Sequence, residues 1–309
     1  MVSLGMSRIL ISGASGLIGS ALVPSLKAAG AHVTRLTRGP NQSAKSSNKD
    51  ESQIPWDPQK PLDPDTVSGF DAVIHLAGRT IASRWTDSAK SEIWNSRIGP
   101  TRHLAQALAA AREKPKVLLS SSAIGYYGPR GDEILTEESM PGDGFAADVS
   151  REWEDAAQPA AAAGIRTICL RTGIVLSKNG GALKKLLPPF KMGVGGRVAT
   201  GKQYMSWIDL QDMVGAIHHL LKADLVHGPV NLVAPKPVTN AEFTKTLAAV
   251  LHRPAIFPVP AAALRLMFGQ MADELLIHGQ RVEPTKLVTS GYPFRFRDLK
   301  ASLEHVVKS

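Results

Sequence analysis

Residues 8–30 constrain this chain more than any other stretch. Arg8-Ile9-Leu10-Ile11-Ser12 is a short apolar run that reads as a buried strand. Gly13-Ala14-Ser15-Gly16-Leu17-Ile18-Gly19 follows at once, and Leu17, Ile18, Ala21, Leu22, Leu26 and Ala29 then share one helical face that Gly30 closes. Strand, glycine-rich turn and helix are the context in which three glycines at this spacing become a dinucleotide-binding fingerprint. One glycine makes the tight turn, one lets the backbone approach a pyrophosphate, and one allows the helix to pack closely on the strand. The helix start supplies unpaired N–H groups and a favourable dipole for the phosphates. Gly13, Ser15, Gly16, Leu17, Ile18 and Gly19 are therefore the expected pyrophosphate-binding residues. The competing reading is a purely structural glycine turn in another α/β fold.

The next strand, His32 to Thr37, bears on which dinucleotide. A carboxylate at its end would accept hydrogen bonds from a ribose 2′-hydroxyl. Here the segment runs Val33-Thr34-Arg35-Leu36-Thr37-Arg38-Gly39, with no carboxylate before Asp50. Arg35 and Arg38 offer positive charge and Thr37 a hydroxyl. A guanidinium suits a 2′-phosphate by charge and by fork geometry. NADP(H) is expected over NAD(H), with Arg38 the better placed arginine, because Arg35 can simply point to solvent from an alternating strand.

The alternation of strand and helix continues. Ala72-Val73-Ile74-His75-Leu76-Ala77, Val117 to Ser121 and Ile165 to Leu170 read as further strands, the last after an alanine-rich helix ending at Gly164. Strands alternating with helices imply βαβ units and a parallel sheet covered on both faces. Two polar stretches interrupt: residues 39–55, expected as a long mobile surface loop, and residues 128–146, a Gly/Pro-rich loop with an acidic cluster, placed after a strand where ligands tend to sit. The last 130 or so residues change character. Gly193, Gly195-Gly196 and Gly201 mark irregular chain, Pro235 and Pro237 a boundary, Thr239 to Glu242 a capping box before a helix, and Ala261 to Gly279 an apolar helical stretch.

Of the 309 residues, 43% are hydrophobic, which excludes wholesale disorder. A single cysteine, Cys169, excludes an internal disulfide and a multi-cysteine zinc site. Met1 to Met6 lacks the basic segment and apolar core of a signal peptide, and no apolar run of about 18 residues exists, so neither secretion nor a membrane span is expected. The expected location is cytoplasmic. Lys+Arg number 36 against 27 Asp+Glu, a net charge of +9. The cations are scattered, with no basic run and no interleaved aromatics, so nucleic acid is an unfavoured partner. A small-molecule substrate is expected, and a homo-oligomer is compatible with the sequence.

Taken together, several strings resemble the extended short-chain dehydrogenase/reductase superfamily: Gly13 to Gly19, Asp71-Ala72-Val73-Ile74-His75-Leu76-Ala77-Gly78, Ser120-Ser121-Ser122, Leu170-Arg171-Thr172-Gly173, and Trp207-Ile208-Asp209 with Asp212. Further strings are similar to its atypical "epimerase family protein" group of NAD(P)-dependent epimerase/dehydratases. These are Val33 to Arg38, Glu92-Ile93-Trp94-Asn95-Ser96-Arg97, Gly125-Tyr126-Tyr127-Gly128, Leu187-Pro188-Pro189-Phe190 and Thr239-Asn240-Ala241-Glu242-Phe243. The resemblance implies a Rossmann-type, doubly wound parallel α/β sheet over residues 1–175, with later returns to it, and a smaller, mostly helical substrate domain over residues 176–309. It implies Leu76, Ala77 and Gly78 lining the cofactor, Glu92 and Arg97 close by, and Ser120, Arg171 and Gly173 on the cofactor side. Ser122 matches the superfamily's catalytic serine, a hydroxyl that can donate to a substrate carbonyl as charge develops. Without the resemblance Ser122 is an ordinary polar strand end.

One departure matters. The superfamily's acid/base is a Tyr-x-x-x-Lys pair on the following helix, and a tyrosine near pKa 10 needs such help to act at neutral pH. Here the stretch is Phe145-Ala146-Ala147-Asp148-Val149-Ser150-Arg151, so Arg151 matches the lysine and Ala147 the tyrosine. No tyrosine lies between 128 and 203. Tyr126 and Tyr127 are the candidate substitutes, with Arg151 as the cation that would lower a phenol's pKa. Either ring can instead simply pack under the loop. Two functions follow: an NADP(H)-dependent oxidoreductase or epimerase, or an NADP(H)-binding sensor or scaffold without turnover.

Other residues carry weaker signals. Asp132, Glu133, Glu137 and Glu138 can also place a carboxylate at the site, but read more simply as a solvated loop face. His218-His219 are too close together to ligate one metal from one helix face, and no metal is expected. Trp207 and Asp209 either line a pocket or serve as core and helix cap. Lys184, Lys185, Arg197 and Lys202 would meet an anionic substrate or form a solvated basic face. Met267, Phe268 and Met271 read as packing.

Overall fold

The computed structural model describes residues 7–39 and 52–308. Its centre is a parallel sheet of seven strands: β1 (Arg8–Ser12), β2 (His32–Thr37), β3 (Ser52–Pro55), β4 (Ala72–His75), β5 (Val117–Ala123), Arg166–Thr172 and Gly228–Leu232. Across the sheet the order is Gly228–Leu232, Arg166–Thr172, β5, β4, β1, β2, β3. The winding direction reverses between β1 and β4, and the carboxyl ends of strands at such a switch point form the crevice where ligands bind. The glycine turn leaves β1 at that point.

Helix α1 (Leu17–Ala28) and the helix Leu210–Lys222 cover one face, packing Leu22, Leu26, Met213 and Ile217 on Ile9, Ile11, Ile74, Leu119 and Ile168. The opposite face lies under α3 (Ile98–Ala110), which follows α2 (Asp87–Asn95), and under α4 (Phe145–Asp155) with the short helix Gln158–Ala162. There Leu104, Leu108 and Ala160 meet Leu10, Val73 and Leu118. Burial on both faces is why these strands are apolar at nearly every position.

The expected loop over 39–55 is corrected at its end. Ser52–Pro55 pairs in parallel with β2, Thr34 opposite Ser52 and Leu36 opposite Ile54. Ile54 packs on the cluster that holds Leu36 and Trp56, which orders four residues too few to show a pattern in sequence, and Pro55 is tolerated because the strand is an edge. Residues 40–51, and with them Asp50, lie outside the described residues.

A second core joins the helices Gly181–Lys191, Asn240–Leu251 and Leu299–Lys308 around Leu183, Leu187, Phe190, Trp207, Phe243, Leu247 and Leu303. The capping box is present: Thr239 Oγ1 accepts from Glu242 N at 3.2 Å, and Thr239 N donates to Glu242 Oε2 at 2.7 Å. Trp207 is fully buried, and Asp209 caps Leu210–Lys222 through Gln211 N at 2.8 Å. The apolar stretch 261–279 is not one helix. It breaks at Gly269, whose φ is +60°, and resumes as Gln270–Ala272 and a wide turn over Asp273–Ile277. Met271 is buried, but Met267 stands 60% exposed, so that part of the packing expectation does not hold. Glu274, on the wide turn, accepts from Phe145 N and Ala146 N at 3.2 and 2.8 Å, capping α4 from the C-terminal part. Among the described residues no helix is long and apolar enough to cross a membrane.

Candidate cofactor and active site

The glycine turn has no room for side chains at two positions. Gly13 has φ +72°, and a Cβ there would lie 2.5 Å from the Leu76 carbonyl carbon. A Cβ on Gly19 would lie 2.3 Å from Gly13 O and 2.7 Å from Ala14 Cα. Both contacts are to backbone, which cannot swing aside. Gly19→Ala is therefore expected to cost about 1–3 kcal/mol of stability, as overpacking does. Urea denaturation measures this, and an unmoved midpoint would contradict the close approach. Gly16 caps α1 with no side-chain bond, and Ser15 and Gly16 are exposed. The first-turn amides, among them those of Leu17, Ile18 and Gly19, are left for an external anion, since a helix's first N–H groups have no intrahelical acceptor.

At the end of β2, Thr37 holds the chain beside β3, its carbonyl accepting from Trp56 N at 2.8 Å. Arg38 is exposed and lines a cleft of ≈ 580 Å³ with Gly39, Pro55, Trp56, Asp57, Pro58 and Gln59. One carboxylate, Asp57, thus reaches this cleft from the far side of the residues outside the description. It accepts from Gln59 N at 3.1 Å and lies 3.6 Å from Lys60 Nζ. Sequence reading missed it because it sits after β3, which had no visible pattern.

The floor of the crevice is the turn after β4. Leu76 N donates to Ser12 O at 3.1 Å, which sets Leu76, Ala77 and Gly78 beside the glycine turn. Arg97 supports that segment from beneath. Its guanidinium donates to Arg79 O at 2.7 Å, Ile93 O at 3.0 Å and Ser96 Oγ at 3.1 Å, and lies 4.9 Å from the Trp153 ring centroid. Burial pushes its pKa down to about 10, so it stays charged at neutral pH. Glu92 pairs with Arg79 at the surface.

His75 sits under this floor, fully buried between Ser12 Oγ at 2.6 Å and Thr101 Oγ1 at 3.0 Å. Burial pushes its imidazole down to about 4. Protonation therefore favours the unfolded chain, where histidine titrates near 6.5. Between the two values the unfolded state binds more protons, so stability rises with pH across that window. Acidifying from pH 7 to pH 4 is expected to remove about 3 kcal/mol through this residue. Urea denaturation as a function of pH, in the native chain and in His75→Gln, measures the term; equal pH slopes in both would contradict it.

Ser122, Arg171 and Asn231 lie side by side across three strands and form a buried ionic network. Ser122 Oγ donates to Glu154 Oε1 at 2.6 Å, and Arg171 grips the same carboxylate through Nε at 2.8 Å and Nη2 at 2.9 Å. Arg171 Nη1 also donates to Tyr127 OH at 3.0 Å, and Tyr127 OH donates to Asn231 Oδ1 at 2.7 Å. Burial alone would lower the pKa of Arg171, but the bonds and charge of Glu154 outweigh it and hold the pKa above its ordinary value. Burial, only partly offset by Arg171, pushes Tyr127 up to about 12. Tyr126 lies over the same guanidinium, ring centroid 3.5 Å from Arg171 Cζ, half-buried and with its hydroxyl unpartnered among the described residues.

Several expected site residues are thus placed differently from each other. Tyr126, Tyr127 and Ser122 are brought together around Arg171. Arg171 itself, expected beside the cofactor, is 2% exposed and committed to Glu154 and Tyr127. Arg151 does not join them; it pairs with Asp148 at 2.9 Å on the solvent side of α4. Ser120 is buried in the sheet, and Gly173 packs on the backbone of Ser206, where a Cβ would lie 2.5 Å from the carbonyl oxygen. Glu137 corrects the reading of the acidic loop as solvated. It is 5% exposed, its Oε1 accepting from Asn231 N at 3.0 Å and Lys286 N at 3.2 Å. Glu154 carried no local signal and Glu137 showed only as a loop carboxylate, because their partners, Ser122 and Arg171 for the first and Asn231 and Lys286 for the second, come from other elements.

The sequence pattern of the NAD dependent epimerase/dehydratase family matches residues 9–233, from β1 to the end of the last sheet strand. The chain belongs to this family. Residues 259–306 also match a domain of unknown function, DUF1731. Among relatives, the Epimerase family protein Mb2239 of Mycobacterium bovis is 40% identical over 297 residues, covering 96% of each chain. The human epimerase family protein SDR39U1, whose crystal structure contains NADPH, superposes with a TM-score of 0.88 at 34% identity, covering 98% of this chain and 99% of that one. A structure described as a nucleoside-diphosphate sugar epimerase from Corynebacterium glutamicum matches with a TM-score of 0.79 at 36% identity, over 98% of this family member and 58% of that chain.

Proposed function

We propose that this epimerase-family chain binds NADP(H) and acts as an oxidoreductase or epimerase-like enzyme on a small carbonyl or sugar-type substrate. The observation that carries the reading is the pairing of a glycine-capped start of α1, with no side-chain cap bond, with the exposed Arg38 directly after β2. Gly13, Ser15, Gly16, Leu17, Ile18 and Gly19 would hold the pyrophosphate. Thr37 and Arg38 would hold the 2′-phosphate, with Leu76, Ala77 and Gly78 as the floor. The NADPH in the human relative's structure supports the same cofactor here. When bound, the cofactor supplies or accepts a hydride at a substrate carbon.

The chain must then move a proton at the substrate oxygen. With alanine at position 147, Tyr126 is the residue we assign to this step. Tyr127 has its hydroxyl held at both ends and its proton bound more tightly than in a free phenol. Tyr126 has an unpartnered hydroxyl, and Arg171 against its ring fixes its orientation. Ser122, through Glu154, positions Arg171. In this reading Ser122 and Arg171 are positioning residues, and Arg151 takes no part.

NADPH consumption across a panel of aldehydes and ketones, together with epimer formation from nucleotide sugars in the presence of NADP⁺, tests the proposal. Oxidation of NADPH with at least one carbonyl, or an epimer from at least one nucleotide sugar, is expected. Tight NADPH binding with no turnover across the panel would favour a cofactor-binding sensor instead.

A further inference from the structure

A second cleft, of ≈ 460 Å³, lies away from the sheet, against the helix Asn240–Leu251. None of its lining residues belongs to the glycine turn, the sheet strands or the Arg171 network. Three cations face it: Arg197, Lys245 and Arg253. No carboxylate lines it, and none of the three has an ion-pair partner among the described residues. Arg253 is anchored, donating through Nε to Lys191 O at 3.1 Å. Arg197 and Lys245 are exposed, and their side chains make no hydrogen bond among the described residues.

Apart from Thr244, the remaining wall is apolar. Pro254, Ile256 and Pro258 form one side, with Ile256 73% exposed. The backbone beneath is fixed by bonds from Val259 N to Arg197 O at 2.8 Å and from Ala199 N to Val259 O at 2.9 Å. Three cations without a counter-charge around one concavity focus a positive potential in it. Their volume and apolar wall match small-molecule sites, which run roughly 300–1,000 Å³.

We propose that this cleft is a second ligand site, separate from the cofactor crevice, for a phosphorylated small molecule that also carries a flat or aliphatic apolar group. The phosphate takes Arg197, Lys245 and Arg253; the apolar group lies on Ile256 and Pro258. The site stands whether or not the cofactor reading holds, because it shares no residue with it.

The test titrates 1-naphthyl phosphate and inorganic pyrophosphate into the full chain, with and without saturating NADPH, at physiological salt. Intrinsic naphthyl fluorescence and calorimetry read the binding. One saturable site is expected, with naphthyl phosphate binding more tightly than pyrophosphate. The double substitution Arg197→Ala with Lys245→Ala is expected to weaken it about tenfold or more. These side chains bond to nothing in the fold, so the variant should keep the native melting temperature and NADPH affinity. Ala248→Phe, which fills the cleft without changing charge, is expected to weaken naphthyl phosphate as well. No saturable binding, or equal binding by native chain and double variant, overturns the proposal. So does co-sedimentation with phosphatidylserine vesicles that naphthyl phosphate fails to compete, since that would make the patch a membrane contact.

Discussion

Glu154→Leu is expected to destabilise the chain by about 3–5 kcal/mol, the usual cost of stripping one partner from a buried ion pair. Arg171 would remain charged with its side chain 3% exposed, having lost the two hydrogen bonds that hold its pKa up. The Ser122 hydroxyl would lose its acceptor at the same time. Glu154→Gln is the informative companion, since it keeps the shape and one acceptor while removing the charge. It should fall between the native chain and Glu154→Leu. Denaturant titration at neutral pH measures all three; a loss under about 1 kcal/mol in Glu154→Leu, the scale of an exposed pair, would mean the network is wetter than its geometry implies.

The other large effect concerns turnover. Tyr126→Phe removes one hydroxyl that has no partner among the described residues, so the fold should be nearly untouched. Loss of a general acid lowers kcat by about 10²–10⁴. Tyr127→Phe is expected to behave oppositely. It strips a bonded hydroxyl from Arg171 and Asn231, costing roughly 1–3 kcal/mol of stability, while sparing the acid/base step. The comparison is made with whichever carbonyl the panel identifies, measuring kcat and the urea midpoint of each variant. Full activity in Tyr126→Phe would remove the phenol from the mechanism.

Much of the sheet was readable because its signals are local. The run Ile9-Leu10-Ile11, the glycines at 13, 16 and 19, and the apolar face of α1 lie within one short segment, and each has a backbone reason visible in sequence. The capping box at Thr239 and Glu242 is similar: three residues apart, two hydrogen bonds, no long-range partner needed. Ser52–Pro55 escaped because four residues carry no period, and only its register against β2 orders it. The candidate site around Arg171 was legible in residue type but not in arrangement. Ser122, Tyr126, Tyr127 and Arg171 stood out, yet Arg171 rather than Arg151 is the cation against the tyrosines, and Glu154 and Glu137 are buried carboxylates that a polar pattern alone makes look solvated. Their environments are set by strands and helices brought together from more than a hundred residues apart, such as Tyr127 and Asn231 or Glu137 and Lys286. Glu274, reaching back to cap α4, belongs to the same class.

Competitive titration of NADPH and NADH on the native chain and on Arg38→Ala decides whether Arg38 selects the 2′-phosphate. A guanidinium on a phosphate is a charge-assisted contact worth about 1.5–3 kcal/mol, so the native chain should prefer NADPH by at least about tenfold. In Arg38→Ala that preference should largely vanish through weaker NADPH binding, with NADH affinity little changed. Equal affinities for the two nucleotides in the native chain, or a preference that survives the loss of Arg38, would contradict the account.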